Sequence, residues 1–306
     1  MLNRKNRLRL LKILSLFSIV RGYNILIIVL AQYLASIYIL GNDLTLKKVV
    51  LDPKLFVLVL TSAMVIAAGY IINSFYDSEK DLINKPRKSM LDRLVPQRTK
   101  LSAYFTFNFI AVLFAAYVSF RAALFFAAYI FGIWIYSHKL KRIPFFGNLV
   151  SALLAITPFF AIFVYYKNFE TVIFVHALFL FLLILAREMI KDMENISGDM
   201  AQDYKTVPIL YGIRVSKMCI TALVLLTLIP AFLLIASFDI GWMWIYFFGS
   251  IGALIAFIFL LWRSKHKAHF VWLHNILKFI IVIGVFSILL IDVDLVLNRF
   301  RQWNIF

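Results

Sequence analysis

The chain has 306 residues, 63% of them hydrophobic and 15% charged, with a net charge of +17. Soluble domains average about 45–50% apolar and about 25% charged residues, so a globule of this size cannot hide the excess and lipid must solvate much of the surface. The basic residues lie between apolar stretches rather than in a compact basic domain, which excludes a nucleic-acid partner, and a single cysteine, Cys219, excludes an intramolecular disulfide.

Residues 1–21 are basic and are followed by no small-residue cleavage site, so they read as a partly amphipathic segment on the cytoplasmic face. Nine apolar stretches follow, at about 22–40, 55–74, 103–119, 122–137, 149–166, 171–187, 218–237, 242–262 and 273–291, each near the length a bilayer-spanning helix needs. Backbone left unsatisfied in lipid is costly, so each is expected as a helix, and the period-two alternation of a membrane barrel is absent. The expected fold is an all-α integral membrane protein, a bundle of about nine transmembrane helices around a central cavity. A single domain is expected over 22–292, with a short tail at 293–306. The segments 1–21, 75–102, 138–148, 187–217 and 263–272 hold 24 of the 32 lysines and arginines. That asymmetry places them and the N-terminus in the cytoplasm of a cell-membrane protein, and an odd number of spans places the C-terminus outside.

The acids are distributed differently. Nine of fifteen fall in two of these segments, after the second and the sixth span. In the first, Asn73, Asp77 and Asp81 recur every four residues and share one helical stripe. In the second, Glu188, Asp192, Asn195 and Asp199 fall on one face, with Glu194 pointing elsewhere. Solvated charges at two helix ends would look similar singly. Two matching stripes, at an insertion cost of about 2.5–3.5 kcal/mol per charge at bilayer depth, point instead to a site. Like charges in one stripe repel unless a cation neutralises them, and oxygen ligands on one face suit Mg²⁺ completed by water and substrate phosphates. The two helix ends read as an internal repeat serving one cavity. Lys85, Arg87 and Lys88 follow the first cluster, Lys139, Lys141 and Arg142 follow the fourth span, and Lys191 and Lys205 flank the second cluster. Carboxylates, Mg²⁺ and these cations form a cradle for a diphosphate.

These motifs resemble those of the UbiA superfamily of membrane prenyltransferases. Asn73, Asp77 and Asp81 resemble the family's first Asp-rich motif, and Asp192, Asn195 and Asp199 its second. The stretch Asp81–Pro86, the run from Tyr136 through Asn148 and the Lys205-Thr206-Val207-Pro208 element are also similar. The resemblance covers about residues 20–290. Ser74 and Asn195 stand where the family usually has Asp, which keeps an oxygen but removes a charge at each position.

The resemblance implies Mg²⁺-dependent prenyl transfer from a prenyl diphosphate. Asn73, Asp77, Asp81, Asp192 and Asp199 would be metal ligands, the four Asp the catalytic core, and Asn73, Lys85, Arg87, Lys141, Arg142, Lys191, Asn195 and Lys205 the substrate-binding set. Diphosphate departure would leave an allylic carbocation, which aromatic faces stabilise; Phe75, Tyr76, Tyr129 and Tyr136 are the candidates. Among members, the chain most resembles bacterial sequences assigned as geranylgeranylglycerol-phosphate geranylgeranyltransferases, which implies a glycerol-phosphate ether-lipid precursor as acceptor, its phosphate held by Arg87 and Lys88. Aromatic acceptors of quinone synthesis and farnesylation of haem are the alternatives within the family. An ion transporter and an inactive lipid-binding relative are the alternatives outside it, and acids clustered on one side only disfavour transport. His176 is expected to be packed or hydrogen-bonded in its span, His266, His269 and His274 to be solvated or interfacial, and Asp292 and Asp294 to mark the outer interface.

Overall fold

The structure, a computed structural model, describes residues 4–41 and 44–293; Asp294 and the expected tail beyond residue 293 lie outside them. The basic N-terminal segment forms helix α1 (Arg4–Ile19) and turns through Arg21, whose backbone is left-handed (φ 49), into α2 (Gly22–Ala35), extended by a single wider turn over Ser36–Leu40. A short α3 (Leu46–Val50) precedes α4 (Pro53–Tyr76). Its start is fixed by chemistry that satisfies free backbone N–H groups: the Asp52 side chain accepts from the Lys54 N–H at 2.9 Å, and Pro53 stands at the first position. Two short helices, α5 (Ser78–Asn84) and α6 (Pro86–Asp92), lead to α7 (Gln97–Val118) and α8 (Phe120–His138). The second half follows as α9 (Phe146–Tyr166), α10 (Thr171–Ala201), α11 (Val207–Ser237), α12 (Trp244–Arg263) and α13 (Lys267–Ser287). Helix α11 is interrupted at Gly212, whose φ of 82 suits glycine alone.

Among the described residues nine helices are long and apolar enough to cross a membrane, and none of these residues is strand. Two boundaries differ from the expectation. The sixth span does not end near residue 187 but continues as helix to Ala201. Its 31 residues extend roughly 46 Å at 1.5 Å per residue, well beyond a hydrocarbon core of about 30 Å, so its last turns project as a polar post. The seventh span likewise begins at Val207 rather than near 218.

The core centres on α4 and α10, the two helices that carry the acidic motifs. Helix α4 packs against α2, α7, α8 and α9, and α10 against α5, α9, α11 and α13. Large side chains such as Phe105, Phe109, Phe259 and Phe279 remain exposed on the outside, as a lipid-facing surface requires. One close approach joins the halves: a Cβ at Gly198 would lie 2.3 Å from Asn84 Nδ2. With no Cβ there, Asn84 Oδ1 accepts from the Gly198 N–H at 3.1 Å and α5 lies directly against α10. Lys267 Nζ donates to the Asn84 carbonyl at 3.0 Å, tying in α13, and Ser15 Oγ donates to the Leu91 carbonyl at 2.7 Å, tying α1 to α6.

Candidate active site

The first acidic stripe is not one helix. Backbone dihedrals leave the helical region at Asp77 (φ −91, ψ 7), between α4 and α5. The chain still advances by single turns, because the Asp77 N–H donates to the Asn73 carbonyl at 2.9 Å and the Asp81 N–H to the Asp77 carbonyl at 2.8 Å. The break turns Asp77 into the protein, where it is buried. Its Oδ1 accepts from Lys141 Nζ at 2.6 Å and from the Tyr204 hydroxyl at 3.1 Å. Lys141 Nζ also reaches Asn73 Oδ1 at 3.4 Å. Burial alone would raise the Asp77 carboxyl, but Lys141, Lys80 and the two hydrogen bonds outweigh it and hold it below its ordinary value. Burial in turn draws the Lys141 ammonium down, against the pull of Asp77. Asp81, half-buried on α5, forms neither an ion pair nor a side-chain hydrogen bond.

The second stripe runs along one continuous helix, as its spacing implies. Glu188 takes Lys191 at 2.8 Å, Ser151 at 3.2 Å and Arg187 at 3.7 Å. Asp192 Oδ2 accepts from Asn148 Nδ2 at 2.7 Å. Asn195 Oδ1 is buried with no hydrogen-bond partner, and so is Asp199 Oδ2, while Asp199 Oδ1 lies 2.7 Å from Lys80 Nζ. Burial lowers the Lys80 ammonium's pKa in principle, yet Asp77 and Asp199 together raise it above the ordinary value. Glu194, off the stripe, pairs with Lys85 at 3.4 Å and faces His274 Nδ1 at 3.6 Å. His274, expected to be solvated or interfacial, is half-buried against this carboxylate. His176 is packed as expected, its Nδ1 2.8 Å from the Val172 carbonyl and its ring edge-on to Phe247.

Three contributors escaped the sequence reading as site residues: Lys80, Asn148 and Tyr204. Tyr204 is buried at the centre of the cations, with Lys80 Nζ 4.4 Å and Arg142 4.9 Å from its ring centroid. Burial and Asp77 push its hydroxyl up to about 12. Its one sequence signal is its position directly before Lys205, which does not distinguish it among 14 tyrosines. Arg87 and Lys205 are exposed and form no ion pair; Lys205 joins the site through its backbone N–H, which donates to the Arg142 carbonyl at 3.2 Å.

A cavity of about 330 Å³ opens beside this cluster. Asn73, Ser151, Arg187, Glu188 and Lys191 line its polar end, Tyr129 and Tyr136 its middle, and Ile156, Phe159 and Ile281 its apolar end. A second apolar cavity of about 110 Å³ shares Ile156, Phe159 and Ile281 and ends at His176 and Phe247. The space thus runs from charged groups into hydrocarbon-like walls, the shape of an amphiphile with an anionic head. Of the four candidate aromatics, Tyr129 and Tyr136 line it, whereas Phe75 packs edge-on against Tyr76, 5.5 Å away.

Among the described residues no three acids converge on one point. The oxygens of Asn73, Asp77, Asp192, Asn195 and Asp199, two of them without protein partners, instead suit a hard cation that takes one or two carboxylates and completes its shell with phosphate oxygens and water.

A family model, the UbiA prenyltransferase family, matches residues 24–296. The chain belongs to this family. Among UbiA relatives, the digeranylgeranylglyceryl phosphate synthase of Thermococcus kodakarensis is 31% identical over 83% of this chain and 90% of its own length. That of Thermococcus sibiricus is 38% identical over 49% of this chain, a match that spans about half of the relative (53%). The solved structure of a digeranylgeranylglyceryl phosphate synthase in membranes superposes with a TM-score of 0.68 at 20% identity, covering 90% of this chain and 97% of that one. A UbiA homologue from Archaeoglobus fulgidus bound to GPP and Mg²⁺ gives 0.66 at 14% identity, covering 90% and 99%. These likenesses establish a multi-pass UbiA fold and a prenyltransferase.

Proposed function

We propose that the chain transfers a geranylgeranyl-like group from its diphosphate to the hydroxyl of a glycerol-phosphate ether-lipid precursor, with Mg²⁺ as cofactor. The observation that carries this reading is a cavity lined by Asn73, Arg187, Glu188 and Lys191 as well as by apolar Ile156, Phe159 and Ile281, joined through the Asn73–Lys141 contact to the cluster of Asp77, Lys141, Tyr204, Lys80 and Asp199. The names of the Thermococcus relatives favour the glycerol-phosphate acceptor, and the Archaeoglobus homologue holds a prenyl diphosphate with Mg²⁺.

Asn73, Asp77, Asp192, Asn195 and Asp199 would hold the cation with Asp81 at the margin; Mg²⁺ supplies charge neutralisation for the departing diphosphate. Lys141 and Lys80 lie on the carboxylates and move onto phosphate oxygens when donor binds, with Arg142, Lys191, Lys85 and Lys205 around them and Arg87 outermost. Their ammonium groups stabilise the charge that develops as the allylic C–O bond breaks. Tyr129 and Tyr136 face the resulting carbocation, and the closed, apolar wall keeps water from capturing it before the acceptor oxygen attacks and releases its proton.

The site faces the cytoplasm in this reading, because the lysine- and arginine-rich segments surround it. Residues 22–292 act as one domain in the cell membrane, with 1–21 along the cytoplasmic interface and 293–306 as a tail. Purified protein incubated with geranylgeranyl diphosphate, Mg²⁺ and a panel of geranylgeranylglyceryl phosphate, hydroxybenzoate and dihydroxynaphthoate tests it. Formation of the diether phosphate, abolished by EDTA, is the expected result. Alkylation of an aromatic acceptor only, or no pyrophosphate release with any donor, refutes it.

A further inference from the structure

The cavity that Asn73 and Glu188 line also carries two cations to which the donor cradle assigns no role. Arg21 and Lys278 both line it, the first at the turn between α1 and α2 and the second on the last span, one turn beyond His274. Neither has an acidic partner among the described residues: Arg21 lies 5.1 Å over the Tyr70 ring, and Lys278 Nζ 4.4 Å over Tyr23. Asn24 holds Tyr70 in place by donating to its hydroxyl at 3.3 Å.

Lys278 lies inside the last span, where an ionisable side chain is costly and by default marks a functional group. Arg21 is in addition held with a positive φ, a region that favours glycine, and strain of this kind gathers at ligand sites. The other cations at this end, Arg187 and Lys191, are already turned to Glu188. Two cations without counter-ions therefore face the cavity that Asn73 and Glu188 also line. Arg21 also repels Lys85 and Lys88, which burial first of all holds below their ordinary values. The unmatched charge is positive, and it suits an anion of about two charges.

We propose that Arg21 and Lys278 bind the phosphate monoester of the lipid acceptor, in the cavity that Asn73 shares with the donor site. The inference rests on the glycerol-phosphate reading above and replaces the sequence-based assignment of that phosphate to Arg87 and Lys88, since Arg87 is exposed and Lys88 is engaged with Asp92 at 4.0 Å. The acceptor's own chain then shares the apolar space, and its free hydroxyl points toward Asn73 and the motif acids. Tyr23 and Tyr70 keep the two cations poised while the cavity is empty, by contacts weak enough to exchange for phosphate.

The test has two arms on the purified full-length protein. In the first, donor and acceptor are varied separately for wild type, Arg21→Gln, Lys278→Gln and Lys278→Arg. Each neutralised cation is expected to raise the acceptor KM about tenfold, the worth of one charge-assisted contact, with the donor KM unchanged and Lys278→Arg near wild type. An acceptor KM unmoved in both variants, or a donor KM that rises in step, overturns the assignment. The second arm needs no turnover: native mass spectrometry titrates the same proteins with phosphatidic acid, a monoester, and phosphatidylglycerol, a diester of the bilayer. Preference for phosphatidic acid that is lost in Arg21→Gln and Lys278→Gln supports the site. Equal binding of the two lipids marks a bilayer headgroup site and overturns it. Should wild type fail to transfer to any glycerol phosphate, the functional reading fails, and this second arm still decides the phosphate site by itself.

Discussion

The two acidic half-sites both follow helical spacing, in steps of four in the first and of four, three and four in the second, and have opposite constructions. On the α10 side the stripe is a straight helix extended past the membrane, and each acid stands where helical periodicity places it. On the α4 side the helix breaks at Asp77, and the break buries the carboxylate against Lys141 and Tyr204. The ligands of each half come from elsewhere: Asp77 is met by the segments after α8 and α10, and Asp199 by Lys80 from the first motif. Neither half is electrostatically complete alone. The two departures from the family's motifs also differ. Ser74 Oγ accepts from Lys100 Nζ at 3.4 Å on α7, whereas Asn195 presents an unpartnered oxygen in the buried cluster.

The most severe way to break this pairing is to remove the crossed acids. Asp77→Ala and Asp199→Ala each leave a buried lysine without its partner and remove a cation ligand, and a loss of about 10²–10³-fold or more in kcat is expected in a product assay. A variant retaining most of its rate would dissociate that acid from the chemistry. Next comes Lys141→Met, with a loss of about 10²-fold. Because burial lowers the Lys141 ammonium, wild-type activity should fall on the alkaline side below the ordinary lysine value of 10.5, as the proton is lost with rising pH. Lys141→Arg should push that limb upward, and an unchanged profile would assign it to another group.

Tyr204→Phe removes one hydrogen bond to Asp77 but keeps the ring under Lys80 and Arg142. About a tenfold drop in kcat/KM is expected, with the fold retained by thermal unfolding. Gly198→Ala tests the α5–α10 contact: the added methyl displaces the Asn84 amide, and a stability loss of about 1–3 kcal/mol should appear as a lower melting temperature. The smallest effect sharpens the contrast between the motifs. Asn195→Asp should lower the Mg²⁺ concentration for half-maximal rate several-fold, by adding a charge to the cation's own oxygens, while Ser74→Asp should leave it unchanged. Equal responses would mean that both positions face the cation.

Much of this was legible in the sequence, and for identifiable reasons. Apolar stretches of spanning length define helices because lipid tolerates little else, so all nine spans appear where they were expected, apart from the extended ends of α10 and α11. The stripe of Glu188, Asp192, Asn195 and Asp199 was readable because helical periodicity within one element is a local property. The break at Asp77 was not, since i to i+4 spacing is equally consistent with a continuous helix. His274 shows the same limit: its loop-side position gave only a solvated or interfacial role, and packing of α13 on α10 set it against Glu194.

The sequence by itself determined the solvent, the helices and the stripes of acids, which follow from composition and short-range spacing, while its motifs carried the resemblance to the family. The tertiary structure alone decided which lysine meets which carboxylate, that Tyr204 lies among the cations, and that Arg21 and Lys278 share a cavity with Asn73. Lys141 and Asp77 are 64 positions apart and Arg21 and Lys278 are 257 apart. Their geometry is set by how helices pack, and no local pattern in the chain encodes it.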